Sequence, residues 1–321
     1  MKKFWVFMGV LVLFCLSAQA EIEIRLKKSF IDTYKNRVTI EASDFIVVKA
    51  HKRPNPPSKD GDLHIAGKAS AVGLPIVAEI MNAASCKSAV DLVHNLEGTN
   101  HPIDIIGVWR VWCEHAGDDS QIQGDTFTIT STNPPHVFEI HPAIKLNSIN
   151  VLDSFRPVYG YEYKNAEDAF LRFENTKCEI IPDDDFITLI TNGVGYNYVD
   201  FKIELLEDPY KYKGNEDGRF VFCKVLDLSD EIISQKERMV FVRNSKPDKT
   251  VEEMKAGDTL RVIGIPRINL NLISWRVNEV EKATNEWSKN KNKQNEDKLA
   301  KAKARLTWKL PYEMIIVAVI E

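Results

Sequence analysis

Apolar and polar residues alternate along much of this chain, and strict alternation marks a β-strand with one face buried. Within 21–50, "EIEIRL" and "VTIEASDFIVVKA" both alternate. The proline-rich "HKRPNPPSKDGD" (51–62) breaks the pattern. "LHIAGKA" resumes it, and "LPIVAEIM" follows Gly73. In "SAVDLVHNL" (88–96) the period changes. Ala89, Leu92, Val93 and Leu96 recur at helical spacing, which predicts one short helix ending near Gly98. "IDIIGVWRVWCEH" predicts a long strand, with Gly107 at a bulge. "HVFEIHPAIKL" (136–146) predicts another. Roughly five strands with one intervening helix suit a small closed barrel of the OB type. Closure removes the exposed edges of a lone sheet.

Further on, "NAEDAFLRFE" predicts a short helix capped by Asn165. "DDDFITLITNGVGYNYVDFKIELLE" predicts a hairpin turning at Asn192-Gly193. From Gly218 a second β unit follows, with strands in "RFVFCKVLDL", "RMVFVRN", "TLRVIGIPRINLNLISWRV" and "YEMIIVAVI". "TVEEMKAGD" predicts a helical turn, and the polar segment before Trp308 a helical or mobile excursion. The expected fold is mainly β: two tandem small OB-like barrels with a few short helices. The first occupies 21–150. The second unit, 151–321, comprises a hairpin segment (151–213) and a barrel (214–321) with a lysine-rich insertion at 282–305. No internal repeat in residue identity is visible.

The ends and the composition add a compartment. Lys2 and Lys3 precede an apolar run from Phe4 to Leu16, and Ala18-Gln19-Ala20 offers small residues for cleavage. This is the pattern of a signal peptide (1–20), cut before Glu21. The apolar run falls short of the roughly 20 residues a bilayer requires. The mature chain is therefore expected to be periplasmic or secreted, with no transmembrane span. It holds Cys86, Cys113, Cys178 and Cys223. An even count in an exported chain predicts disulfides. Cys86–Cys113 and Cys178–Cys223 are the favoured pairs, since each lies within one unit. The net charge of −4 gives no global basic footprint for nucleic acid.

All seven histidines (51, 64, 94, 101, 115, 136 and 141) lie in the first unit. Strand parity places Asp60, Asp62 and His64 on one face, away from Leu63 and Ile65. It likewise places Glu139 and His141 together, away from Phe138 and Ile140. Brought together, Asp62, His64, Glu139 and His141 could hold a divalent metal such as zinc, or an imidazole could serve as general base. The spacing matches no strong metal signature. It favours structural anchoring of strand ends over a ligand site, and a ligand site over catalysis. Trp109, Arg110 and Trp112 form a second candidate, a surface for stacking bases or sugars. The run from Lys282 to Arg305 holds eight basic and three acidic residues. It is a solvated excursion or a contact for a polyanion or envelope component. Nucleophile-elbow, Walker and dinucleotide motifs are absent.

Taken in order, Asp60-Gly61-Asp62-Leu63-His64, "AEI" at 78–80 with Cys86 soon after, "IIGVW" at 105–109 and "FEIHPAIKL" at 138–146 resemble an uncharacterised family of exported bacterial domains. The resemblance covers residues 35–148. It implies an OB-like barrel and export, and no activity. Its bulky "WRVWCEHAG" departs from the pattern. The sequence thus leads to an exported, non-enzymatic binding or interaction protein of unknown ligand. The alternatives are a metal-dependent hydrolase, phosphodiesterase-like, using the first-unit histidines, and a structural envelope protein.

Overall fold

The computed structural model describes residues 21–209 and 216–321, so the expected signal peptide lies outside the described residues. The chain opens with β1 (Glu21–Lys27) and α1 (Lys28–Tyr34). Then come β2 (Thr39–Ala50), β3 (Leu63–Lys68), β4 (Ile76–Ile80), α2 (Lys87–Leu96), β5 (Pro102–Val111), β6 (Gln121–Ile122), β7 (Phe138–Leu146) and β8 (Ile149–Asn150). After β9 (Lys164–Asn165) follow α3 (Ala166–Asn175), β10 (Lys177–Pro182), β11 (Phe186–Asn192), β12 (Val199–Leu205), β13 (Gly218–Leu226) and β14 (Ile232–Val242). The rest is α4 (Lys246–Glu252), β15 (Thr259–Ile268), α5 (Leu270–Lys289), α6 (Lys293–Ala304), β16 (Thr307–Lys309) and β17 (Tyr312–Val319).

Two closed five-stranded barrels result. The first runs β2-β3-β4-β7-β5 and closes through β2–β5, with β4 and β7 parallel. The second runs β12-β13-β14-β17-β15 and closes through β12–β15, with β14 and β17 parallel. In each, the spatial order is first, second, third, fifth, fourth, and a helix (α2 or α4) links the third and fourth strands. This is the Greek-key connectivity of tandem OB-like barrels. Leu63, Ile65, Ile105, Phe138 and Ile140 fill the first interior; Phe201, Val221, Met239, Phe241 and Met314 fill the second. A separate apolar cluster joins the barrels, with Met81 and Val108 packed among Val240, Ile263, Ile265, Ile315 and Val317. Full burial of each such side chain contributes about 1.5–3 kcal/mol.

Register reveals a repeat that residue identity hides. "IIGVWR" (105–110) in β5 corresponds to "VIGIPR" (262–267) in β15, and "FEI" (138–140) in β7 to "YEM" (312–314) in β17. Arg110 sits opposite Glu139, and Arg267 opposite Glu313. Both fourth strands shift register at the glycine, Gly107 or Gly264. A Cβ on Gly107 would meet Ile140 Cγ2 at 2.3 Å, so the bulge lets β7 approach closely. The two arginines also clasp the barrels together. Arg110 Nε donates to the Pro266 carbonyl (2.7 Å), and Arg267 Nη1 to the Trp109 carbonyl (3.0 Å). Each guanidinium thus binds the carbonyl just before the other arginine.

A third sheet, β16-β10-β11-β1-β6, is assembled from four parts of the chain. Its existence revises several expectations. The strand at 21–27 pairs with β11 instead of joining the first barrel. The expected hairpin after Asp183 does not form: β11 enters the third sheet and β12 the second barrel, so that barrel takes its first strand from before residue 214. "INLNLISWRV" is strand only to Ile268. Asn269 then caps a helix by accepting from Leu272 N, because its side chain satisfies an otherwise orphan amide. The lysine-rich insertion is the helical hairpin α5–α6. Asn165 caps α3 as its sequence implies, accepting from Asp168 N.

The expected disulfides are not formed; Cys86, Cys113, Cys178 and Cys223 are all free. Cys223 lies inside the second barrel, whereas Cys178 lies on β10 of the third sheet, and Cys86 opens α2 while Cys113 follows β5. Bridging needs Cβ atoms about 3.8 Å apart, and a cysteine count carries no such distance. Burial pushes the Cys113 and Cys178 thiols up to about 12, which suppresses thiolate chemistry.

Candidate functional site: a buried histidine–carboxylate cluster

The proline-rich loop after β2 ends in a tight turn. Asp60 Oδ1 accepts from Asp62 N (3.0 Å) and from Asn55 Nδ2 (2.9 Å), and Gly61 O accepts from Ala83 N. This turn delivers Asp62 to the start of β3, where it is fully buried. Glu79 comes from the otherwise apolar strand "IVAEI", and Glu139 and His141 project from β7 on the side away from the barrel interior.

The four residues expected from the sequence converge, with His141 at the centre. Its Nδ1 lies 3.3 Å from Glu139 Oε2 and 3.4 Å from Glu79 Oε2, and its Nε2 lies 3.6 Å from Asp62 Oδ2 and 2.9 Å from Tyr198 Oη. Tyr198 in turn donates to Asp62 Oδ2. Arg110 binds Glu139 and also reaches Asn197 Oδ1 at 2.6 Å. His136 Nε2 is 3.4 Å from Glu139 Oε1, while its Nδ1 donates to the Pro134 carbonyl. His64 stands at the margin: its ring stacks on His51, and its Nε2 lies 3.6 Å from Glu79 Oε2. His94 bonds the His51 carbonyl outside the cluster.

Burial sets the electrostatics. It raises Asp62 to about 6 and Glu79 to about 7, against the pull of His141. Burial opposes charge on His141 too, but Glu79, Asp62 and Glu139 outweigh it and lift that imidazole to about 10. Burial likewise disfavours a Glu139 carboxylate, yet Arg110, His136 and His141 hold it well below the usual range. Burial and the nearby Asp62 and Glu79 keep Tyr198 protonated.

Parity placed Asp62, Glu139 and His141 outside the barrel core, and they are outside it, but that face is covered by Tyr198, Asn197 and the second barrel. Glu79 and Tyr198 complete the cluster and are not among the residues that strand parity selects. A lone carboxylate in an apolar strand was the available signal for Glu79; Tyr198, far along the chain, offered none. The proposed stacking surface is corrected outright. Trp109, Arg110 and Trp112 are buried, so none offers a ring or cation to a ligand. Trp109 donates to the Arg37 carbonyl and lies under Arg267, and Trp112 packs edge-on against Phe173.

No family model matches the chain, and no curated protein matches it. Among solved structures, similarity is found to one described as "Structural mimicry for functional antagonism" (11% identity, 74% of this chain and 90% of that chain, TM-score 0.18). Another is the crystal structure of the Ifi202 HINa domain in complex with 20bp dsDNA (10% identity, 76% and 88%, TM-score 0.17). At these TM-scores neither likeness bears on fold or function; the OB assignment rests on strand order.

Proposed function

We propose that this chain is an exported, non-catalytic binding protein that takes an anionic polymer on the outer face of β13 and β14. One observation carries the reading. Phe220, Phe222 and Lys224 alternate along the less buried side of β13, and Arg238 and Lys236 accompany them on β14. The Arg238 guanidinium lies 3.6 Å over the Phe220 ring, and the Lys236 ammonium 4.3 Å over the Phe222 ring. The second and third strands form the ligand face of many OB folds. Aromatic rings interleaved with cations suit a strand of stacking groups joined by anionic links. The hydrolase alternative would require a substrate to reach His141, which is fully buried.

Binding of labelled oligothymidine to the mature chain tests the reading, with heparin as an anionic polymer lacking aromatic rings. Phe222→Ala is expected to weaken oligothymidine binding about tenfold, and Lys236→Gln to flatten the salt dependence. Absence of binding at low salt would sink the reading. So would loss of binding in a Lys298→Gln/Lys301→Gln/Arg305→Gln variant with Phe222→Ala unaffected, which would move the ligand to the α5–α6 hairpin. There Lys298 pairs with Glu286 (3.1 Å) and Lys293 with Asp297 (3.1 Å), as Lys224 pairs with Glu204 (2.6 Å) and Arg238 with Glu313 (3.0 Å) on the favoured face, whose advantage is its place on the second and third strands.

A further inference from the structure

We propose that Asp62, Glu79 and His141 bind one divalent transition-metal ion, with zinc as its probe, in a closed structural site where the two barrels meet. Each of the three offers a ligand atom, these atoms lie within 4.8 Å of one another, and all three residues are buried. Ligands held at about 2.0–2.2 Å around one tetrahedral zinc stand roughly 3.3–3.6 Å apart. The separation of His141 Nδ1 from Glu79 Oε2, 3.4 Å, falls in that range. It is long for an N–H···O hydrogen bond, whose usual length is about 2.9–3.0 Å.

Metal binding replaces the proton that His141 Nδ1 shares with Glu139 Oε2 at 3.3 Å, and the other hydrogen bonds around the cluster leave the necessary lone pairs free. Tyr198 has one hydroxyl proton and gives it to Asp62 Oδ2. It must therefore accept from His141 Nε2–H at 2.9 Å, which leaves Nδ1 as the metal-facing nitrogen. A phenol fixing the tautomer in this way acts as the outer support that metal-bound imidazoles normally have. The other Asp62 oxygen, Oδ1, is buried and has no hydrogen-bond partner. Both ring nitrogens of His64 also lack a partner, and its Nε2 is 3.6 Å from Glu79 Oε2, within reach of a fourth coordination position after a small shift. Glu139 is excluded from the ligand set because Arg110 binds its Oε2, while its Oε1 faces His136 Nε2 at 3.4 Å. Imidazole with two carboxylates suits zinc and its transition-metal neighbours better than calcium or magnesium.

The second barrel serves as an internal control. His64 pairs with Glu79 in the first barrel, and Phe220 with Val240 in the second. Counting two residues on from Glu139 and Glu313 aligns His141 with Ile315. Counting back two from His64 and from Phe220 aligns Asp62 with Gly218. The fold thus places glycine, valine and isoleucine where the first barrel places aspartate, glutamate and histidine. Barrel closure alone does not require the polar set. With His141 neutral as a ligand, three carboxylates (Asp62, Glu79, Glu139) stand against Arg110 alone, so a divalent cation supplies the two positive charges the buried site lacks.

Metal content of the mature chain, purified without chelator, gives the first test; about one ion per chain is expected. After chelation, added zinc should raise the melting temperature, and cobalt should give the visible absorption of a tetrahedral nitrogen–oxygen site. Glu79→Gln and His141→Asn should abolish stoichiometric binding. Tyr198→Phe, which keeps the ring packing, should weaken it by about 10–100-fold. If the ligand variants fail to fold, the cobalt spectrum of the parent and the affinity of Tyr198→Phe decide. A chelated parent that neither gains stability with zinc nor yields that spectrum overturns the proposal. Unchanged zinc affinity in folded Glu79→Gln also overturns it.

Discussion

The two barrels share strand order, a bulge, and a cross-strand arginine–glutamate pair, yet they treat the same outer face in opposite ways. In the first, the face formed by β3, β4 and β7 carries His64, Glu79, Glu139 and His141 and is buried under the rest of the molecule. In the second, β13 and β14 present Phe220, Phe222, Lys236 and Arg238, and their neighbour β17 contributes Ile315 to the inter-barrel cluster. One connectivity therefore yields a sealed polar junction and a partly exposed aromatic–cationic face, whose inner end at Phe220 and Val240 joins the inter-barrel cluster. Topology supplies the platform; the residue at each outward position decides its chemistry.

The largest effects test the clasp. Arg110→Met and Arg267→Met should each cost about 3–5 kcal/mol, since each leaves a buried glutamate short of its partner. Because the two guanidiniums brace each other's strands, denaturant titration should find the double variant cheaper than the sum of the singles. Strict additivity would mean the two pairs act independently. The bulges come next. A Cβ on Gly107 meets Ile140 Cγ2 at 2.3 Å and the Pro142 carbonyl at 2.8 Å, whereas one on Gly264 meets Phe201 Cε1 at 2.9 Å and the Ile315 carbonyl at 3.3 Å. Gly107→Ala should thus cost about 3 kcal/mol and Gly264→Ala about 1 kcal/mol. Equal losses would show that the first bulge is no more tightly packed than the second.

A smaller effect comes from importing the second barrel's solution. In metal-free protein, Glu79→Val with His141→Ile should cost about 1–2 kcal/mol less than the two single changes summed, because each single change leaves its partner uncompensated. The smallest concerns Glu237, whose carboxyl is raised to about 6 by burial, against the bond from Ser234 (2.8 Å). A raised carboxyl contributes stability that is present below its unfolded pKa and lost as pH rises through the folded one. Glu237 should therefore add a fall of about 1–2 kcal/mol between roughly pH 4.5 and 6, on top of that from the raised Asp62 and Glu79. Glu237→Gln should flatten that fall; an unchanged slope in thermal melts would assign it elsewhere.

Alternation along β2, β3, β5 and β7, the helical period of α2, and the caps at Asn165 and Asp60-Gly61 were legible because each depends on near neighbours. Parity also paired Asp62 with His64 and Glu139 with His141. The third sheet was not legible, since β1, β6, β10, β11 and β16 come from distant segments and no local pattern records which strand pairs with which. The helix at Leu270 was hidden by the apolar run that continues into it from β15. The cysteines misled because their count says nothing of distance.

By itself, then, the sequence determined a β-rich chain with two barrel-forming units and carboxylate–imidazole pairs fixed to one side of particular strands, because side-chain direction in a strand follows from parity alone. Only the tertiary structure decided that Glu79 and Tyr198 join them, that Trp109, Arg110 and Trp112 are buried, and that the barrels repeat each other. Those facts depend on register between strands far apart in the chain and on what covers each face, and both are fixed by packing.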